Sequence, residues 1–74
     1  MADQKPTVGR VVHYVPHGGD PAHNNAIVLP AVIVRVWSDT SVNLKVLNDE
    51  VSDFWKTSST QGEQPGQWNW PPRV

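Results

Sequence analysis

Residues 42–47 read Val-Asn-Leu-Lys-Val-Leu, and this stretch decides the fold. Its apolar and polar side chains alternate, so one face of an extended strand is apolar and the other is polar. The preceding stretch, residues 26–37, is rich in Val and Ile, which favours a second strand over a helix. The sequence Ser-Asp-Thr-Ser between them is typical of a turn. We therefore predict a hairpin of two strands joined at residues 38–41.

Three other segments have the composition of short strands. Residues 8–15 are rich in β-branched side chains. Residues 51–57 place Phe54 and Trp55 on opposite faces of a strand, and the polar residues 58–65 connect it to a final aromatic strand. No segment repeats apolar residues at the helical period. We therefore predict a mostly β fold, a small, partly open five-stranded barrel of SH3-like or OB-like type.

The domain boundaries follow the ends of the apolar pattern. Residues 1–7 are polar, so we predict a flexible N-terminal arm, followed by a single small β domain from residue 8 to residue 74. Gly9 permits a bend or a bulge where this domain starts. Pro30 cannot donate to a strand ladder, so it marks an edge, a bulge or a bend. The stretch around Pro30 is apolar on both faces, which predicts that both faces are covered.

The composition excludes several classes of protein. The chain has 74 residues, a formal net charge of −1 and no cysteine. A disulfide-stapled scaffold and thiolate metal sites are therefore ruled out, and binding of bulk nucleic acid through a basic stripe is disfavoured. A domain of this size buries only about 60% of the surface of its unfolded chain, so we expect a homo-oligomer.

The longest apolar run, residues 26–34, is interrupted by a proline and is far too short to span a bilayer. The polar N-terminus also lacks the apolar segment of a signal peptide. We therefore expect an intracellular protein that does not enter a membrane.

Side chains suited to catalysis are scattered along the chain. His13, His17 and His23 lack acidic partners at the spacing of a metal site, and the serines and carboxylates lie mainly in turns. Neither Gly18-Gly19 nor Gly62 opens a helix, so no phosphate-loop motif is present. The sequence therefore predicts neither an enzyme nor a bound metal or cofactor.

Two tryptophans, Trp68 and Trp70, stand between a Pro-Gly turn and a Pro-Pro pair near the C-terminus. Side chains two residues apart in a strand share a face, so they would form a short aromatic wall with Asn69 on the other side. Such a wall is either a lid on the core or a platform on which a base stacks, contributing roughly 1–3 kcal/mol per base. Residues 16–25 form a long polar loop, and long loops often carry binding residues, here His17.

Two segments of the chain resemble a known family. Val8-Gly9-Arg10-Val11-Val12-His13-Tyr14-Val15 and Pro65-Gly66-Gln67-Trp68-Asn69-Trp70-Pro71 are similar to the two ends of a widespread group of short proteins from tailed bacteriophages and prophages. The middle strand, residues 42–48, extends the similarity over nearly the whole chain after the arm. The resemblance implies a phage accessory protein that acts in the cytoplasm of the infected bacterial host.

Phage accessory proteins include small homo-oligomers that bind and sequester the nucleotide second messengers of bacterial immune systems. The resemblance thus implies an anti-defence sponge, which needs stacking platforms, hydrogen-bonding groups and a few cations. We predict its pocket where the two similar segments meet, formed by Arg10, His13, Tyr14, His17, Trp68, Asn69 and Trp70. The alternatives are an SH3-like module that binds a host or phage protein, and a minor protein of the virion or its assembly.

Overall fold

The structure, a computed structural model, describes residues 4–23 and 25–72 and contains five strands. They are β1 (Val11–Tyr14), β2 (Leu29–Val36), β3 (Ser41–Val46), β4 (Phe54–Thr60) and β5 (Trp68–Asn69). Neighbouring strands are antiparallel and form one sheet in the order β4-β3-β2-β1-β5. The described residues form no helix, and the sheet curls into a half-barrel, which confirms the predicted mostly β, partly open barrel.

One face of the sheet, the inner face, carries the core. Nine apolar side chains are at most 2% exposed there, because every second residue of a strand points to the same face. They are Val12, Tyr14, Leu29, Ala31, Ile33, Val42, Leu44, Val46 and Trp68. The alternation predicted for residues 42–47 is therefore confirmed at all three of its inward positions.

The β2–β3 hairpin turns at residues 38–40. The backbone N–H groups of Trp37 and Ser38 both donate to Ser41 O, at 2.8 and 3.1 Å. Ser38 Oγ accepts the N–H groups of Thr40 and Ser41, at 3.3 and 3.1 Å. A serine hydroxyl that bonds to the backbone a few residues ahead is a common turn device, and it forms the predicted hairpin here.

Both neighbours of β3 shift register opposite Asn43. The side chain of Asn43 is held by three donors, which are Trp37 Nε1 at 2.9 Å, Thr57 Oγ1 at 3.1 Å and Ser58 N at 2.8 Å. Ser58 has a φ of 55°, a left-handed conformation that a β-bulge can impose. The three bonds to Asn43 Oδ1 explain how an amide that is only 6% exposed is tolerated in a strand.

The fourth strand differs from the prediction at both ends. It begins at Phe54, later than predicted, because Asp53 Oδ1 accepts the Asn48 N–H at 2.9 Å and closes a turn before it. The prediction that residues 58–60 belong to a connection is wrong. Ser59 is 4% exposed and pairs with β3, although no apolar side chain in this part signals a strand.

Pro30 is the second residue of β2, which begins at Leu29 rather than at residue 26. Its C=O accepts the Leu47 N–H at 2.9 Å, just past the end of β3. In an antiparallel strand the N–H and the C=O of one residue point to the same neighbouring strand, which for Pro30 is β3. The ladder with β3 has ended at this position, so the N–H that Pro30 lacks is not needed.

The other face of the sheet, the outer face, is largely exposed. A row of cross-strand neighbours crosses it, formed by Val11, Val32, Lys45 and Trp55. Val11 and Trp55 at the ends of this row are 52% and 56% exposed, and Val34 on β2 is 43% exposed. In the single chain, the described residues leave much of the outer face of β2 open to solvent.

The predicted arm falls partly outside the described residues, which begin at Gln4. Pro6 is buried, and Lys5 Nζ lies 3.4 Å from Asp39 Oδ2. Gly9 has a φ of 97° and donates its N–H to Ile33 O at 2.8 Å, which confirms a bend before β1. Across the whole of residues 4–23 and 25–72, no helix is long and apolar enough to cross a membrane.

Candidate functional site

The pairing of β1 with β5 brings the two ends of the chain together. The paired residues are His13 with Asn69 and Tyr14 with Trp68. Just beyond the strands, the Val15 N–H donates to Gln67 O at 2.9 Å. The two segments on which the family resemblance rests are therefore neighbours in space.

Short-range hydrogen bonds hold the turn before β5. Gly66 has a φ of 87°, where a side chain would strain the backbone. Gln67 accepts the Gln64 N–H on Oε1 at 3.0 Å and donates from Nε2 to Thr60 Oγ1 at 3.0 Å. Ser59 Oγ donates to Gly66 O at 2.9 Å. These bonds fix the direction in which β5 leaves the turn, and they thereby position its tryptophan side chains.

Trp68 is a core residue. Its side chain is fully buried, and its indole N–H donates to Thr40 O at 3.1 Å. The rings of Trp68 and Trp70 meet edge to face, with their centroids 5.3 Å apart and their planes at 86°. The predicted aromatic wall thus has two unlike members, because Trp68 closes the core and offers no face to a ligand, whereas Trp70 is only partly buried.

Trp70 lies between two cavities and beneath a cation. The guanidinium carbon of Arg10 is 5.0 Å from the centroid of the Trp70 ring. The first cavity, which we call the β1–β5 cavity, has a volume of ≈ 360 Å³, and its lining includes His13, Val28, Asn69, Trp70 and Pro72. The second has a volume of ≈ 340 Å³, and its lining includes Gln4, Lys5, Asp39, Gln61 and Trp70.

The polar side chains that line the β1–β5 cavity are those of His13, Asn69 and Glu63, the last a carboxylate. Asn69 Oδ1 accepts hydrogen bonds from Gln61 Nε2 at 3.1 Å and from Trp70 N at 2.9 Å, so a ligand would meet the NH₂ group of the amide. Arg10 is exposed, and one of its nitrogens donates to Gln4 Oε1 at 2.9 Å. Arg10, Asn69 and Trp70, with the half-buried His13, form what we call the Trp70 surface.

Tyr14 and His17 belong to a different group of residues. The side chain of Asp20 is 1% exposed and accepts three hydrogen bonds. The donors are Tyr14 Oη at 2.6 Å, the His17 backbone N–H at 3.1 Å and Lys56 Nζ at 2.8 Å. We call these four residues the Asp20 cluster.

Burial and hydrogen bonds shift the pKa of two members of the Asp20 cluster, Asp20 and Tyr14. Burial would by itself raise the pKa of Asp20, but the hydrogen bonds from Lys56, Tyr14 and the His17 N–H outweigh burial and hold that pKa below its usual value. Burial raises the pKa of the Tyr14 hydroxyl, and the hydrogen bond to the Asp20 carboxylate raises it further. At neutral pH an ionised carboxylate is thus surrounded by donors.

The His17 ring closes this cluster on the side of the β5 turn. Its Nδ1 accepts the Gly19 N–H at 2.9 Å, and its Nε2 lies 3.4 Å from both Asp20 Oδ1 and Lys56 Nζ. A Cβ added at Gly66 would lie 3.2 Å from His17 Cδ2, so the ring packs against that turn. His17 therefore holds the long loop in place and does not line the β1–β5 cavity.

The structure divides the seven predicted site residues into two sets. Four form the Trp70 surface, and the other three, Tyr14, His17 and Trp68, lie in the core or the Asp20 cluster. Sequence reasoning missed Asp20 and Lys56. A signal for Lys56 was present, because it follows the inward-facing Phe54 by two residues and therefore shares its face.

Within residues 4–23 and 25–72, no group of three His, Cys, Asp or Glu side chains could hold a metal ion. No family model, no curated protein and no solved structure matches this chain. The geometry of the Trp70 surface and the chemistry of its residues are therefore the guide to function.

Proposed function

We propose that this chain is a non-catalytic binding protein that takes up a nucleotide at the Trp70 surface. We further propose that the nucleotide is a second messenger of a bacterial immune system, which a phage protein sequesters in the cytoplasm of its host. The observation that carries the proposal is the position of Arg10 over Trp70 beside the β1–β5 cavity. That the nucleotide is an immune second messenger is inferred from the resemblance to phage accessory proteins.

The chemistry of the Trp70 surface suits a base attached to a phosphate. An indole face stacks on any base, and a guanidinium pairs with phosphate oxygens through two parallel hydrogen bonds. The NH₂ group of Asn69 and the imidazole of His13 can bond to the edge of a base. The cavity beside them, at ≈ 360 Å³, falls in the usual range for small-molecule sites of about 300–1,000 Å³.

A second copy of the chain is part of this proposal, because the β1–β5 cavity is incomplete in a single chain. Ile27 and Val28 on its rim are 88% and 39% exposed. A second subunit that covers them would enclose the ligand and bury apolar area at about 25 cal/mol per Å². Light scattering should therefore give a mass above that of one chain, and Ile27→Asp should shift the protein toward the monomer.

Calorimetry with a panel of cyclic dinucleotides and cyclic ADP-ribose isomers tests the function, with native mass spectrometry to report the stoichiometry. We expect Trp70→Ala to weaken binding by roughly 1–3 kcal/mol, a factor of about 5–150. Trp70→Phe keeps an aromatic face and should retain most of the affinity. Arg10→Ala should also weaken binding, and Arg10→Lys should recover part of it by restoring the charge.

A surface substitution far from the site provides the control. Val51 is 99% exposed, so Val51→Ala should leave the affinity unchanged. If no nucleotide of the panel binds, the proposal fails, and capture of a host or phage protein would then favour the interaction module. If a nucleotide binds but the Trp70 and Arg10 variants keep full affinity, the ligand occupies another surface.

A further inference from the structure

The outer face of the sheet carries two exposed indole rings, each beside a cation. Trp37 donates from Nε1 to Asn43 Oδ1 at 2.9 Å, so its ring lies over β3, and the Arg35 guanidinium carbon is 4.4 Å from the ring centroid. Trp55 on β4 is the cross-strand neighbour of Lys45 on β3. The two tryptophans, 54% and 56% exposed, present aromatic surface that the core does not use.

The two indole–cation pairs are neighbours along β3. Asn43, which anchors Trp37, and Lys45, which neighbours Trp55, are two residues apart on β3 and point to the same face. A strand rises about 3.4 Å per residue, so the two pairs lie about 7 Å apart along β3. Val32 on β2 is the cross-strand neighbour of Lys45, so the surface between Lys45 and β1 is apolar.

Within the five strands, the two charged side chains of the outer face are both cations. None of the five strands contains Asp or Glu, whereas Arg35 and Lys45 both lie on the outer face. A second copy stacked on the same face about a two-fold axis would bring like charges toward each other, which disfavours self-association here. The face instead complements an anionic chain that carries flat rings at short intervals.

We propose that the outer face binds single-stranded nucleic acid. Two bases stack on Trp37 and Trp55, and Arg35 and Lys45 pair with phosphates next to them. The net charge of −1 argues against a duplex held along a basic stripe, but this short site needs only two phosphates. The inference does not depend on the nucleotide pocket, because none of the four residues belongs to the Trp70 surface.

Fluorescence anisotropy with a labelled oligothymidylate and a labelled oligouridylate tests the proposal, and the two strands separate DNA from RNA. We expect saturable binding of at least one strand, weakened about tenfold or more by Trp55→Ala. Two phosphate contacts predict that log K falls with log salt concentration with a slope of about −1.4. Lys45→Gln should reduce that slope to about −0.7.

Lys5→Gln is the matched control, because it removes the same charge at an exposed position outside the five strands. It should leave the slope unchanged, and Trp55→Phe should keep most of the affinity. Equal effects of the Lys5 and Lys45 variants, or no binding of either strand at low salt, would overturn the proposal. The proposal would also be overturned if Trp55→Ala bound the strands normally but had a lower mass in light scattering than the unsubstituted protein. A second copy of the chain would then be the partner that covers this face. If Trp55→Ala unfolds, the two lysine variants still decide.

Discussion

The Asp20 cluster and the Trp70 surface each include a residue of β1, yet one is closed and the other is open. Both combine a buried or half-buried ring with charged and amide groups. In the Asp20 cluster the carboxylate is 1% exposed, and each of its oxygens accepts at least one hydrogen bond. In the Trp70 surface the cation and the amide keep capacity for a further partner.

The difference shows that the residue types alone do not define a binding site. A titratable group whose hydrogen bonds are complete within the fold stabilises that fold, whereas one with capacity left over can meet a ligand. Substitutions in the two regions should therefore separate stability from binding.

Trp68→Ala should have the largest effect. Removing a fully buried indole costs about 3–5 kcal/mol, which is comparable to the whole stability expected of a domain this small, about 4–11 kcal/mol. Urea denaturation followed by circular dichroism should find the variant largely unfolded, and Trp68→Phe should be intermediate. A stable Trp68→Ala variant would show that the core does not depend on the closing tryptophan.

Asp20→Ala should follow, with a loss of about 3 kcal/mol, because it leaves Lys56 and the Tyr14 hydroxyl without their acceptor. Asp39→Ala is the matched control. Its carboxylate is 76% exposed and pairs only weakly with Lys5, so its loss should cost no more than about 0.5 kcal/mol. Equal losses for the two variants would remove the distinction between a closed cluster and an open surface.

The pH dependence of stability should show the same cluster. The pKa of Asp20 is lowered in the folded state, so its contribution is complete above the unfolded pKa of about 3.9 and is lost as the pH falls below it. The pKa of Tyr14 is raised, so its contribution is complete below an unfolded pKa of about 10 and is lost as the pH rises above it. Thermal melts across this pH range give the measurement. In Asp20→Asn the melting temperature should fall less at acid pH than in the unsubstituted protein, and in Tyr14→Phe it should fall less at alkaline pH.

Arg10→Ala should have only a small effect on stability. An exposed cation–π contact contributes about 0.5–1 kcal/mol, so the melting temperature should move by only a few degrees. Nucleotide affinity should fall much more in the same variant. A large loss of stability without a loss of affinity would place Arg10 with the structural residues of the Asp20 cluster.

The sequence predicted the sheet better than it predicted the site. Alternation at residues 42–47 identifies the hairpin, because the period of a strand is visible wherever one face is apolar. The sequence does not predict the end of β4, because Ser58 is held by the amide of Asn43 and Ser59 pairs with Val42. These contacts join distant residues, and no local pattern shows them.

For the site, the sequence indicated that the two ends of the chain would meet. It did not separate Trp68 from Trp70, which share a spacing and a residue type, because only the packing of the finished sheet decides which indole is covered. For a similar reason, the sequence predicts His17 as a ligand-binding residue although its partners lie within the fold. A histidine in a polar loop resembles a binding residue until its acceptor and donor partners, such as Gly19 and Asp20, are known.

The pairing of the first strand with the last has a consequence for how the protein is made. A ribosome releases β5 after the other four strands, yet Trp68 closes the core from β5. Until then the inner face of β1–β4 lacks its largest side chain, and the newly made chain exposes apolar surface to chaperones and to other nascent chains. A chain truncated after residue 67 would therefore lack the side chain that closes the core and should not fold stably, although it keeps four of the five strands.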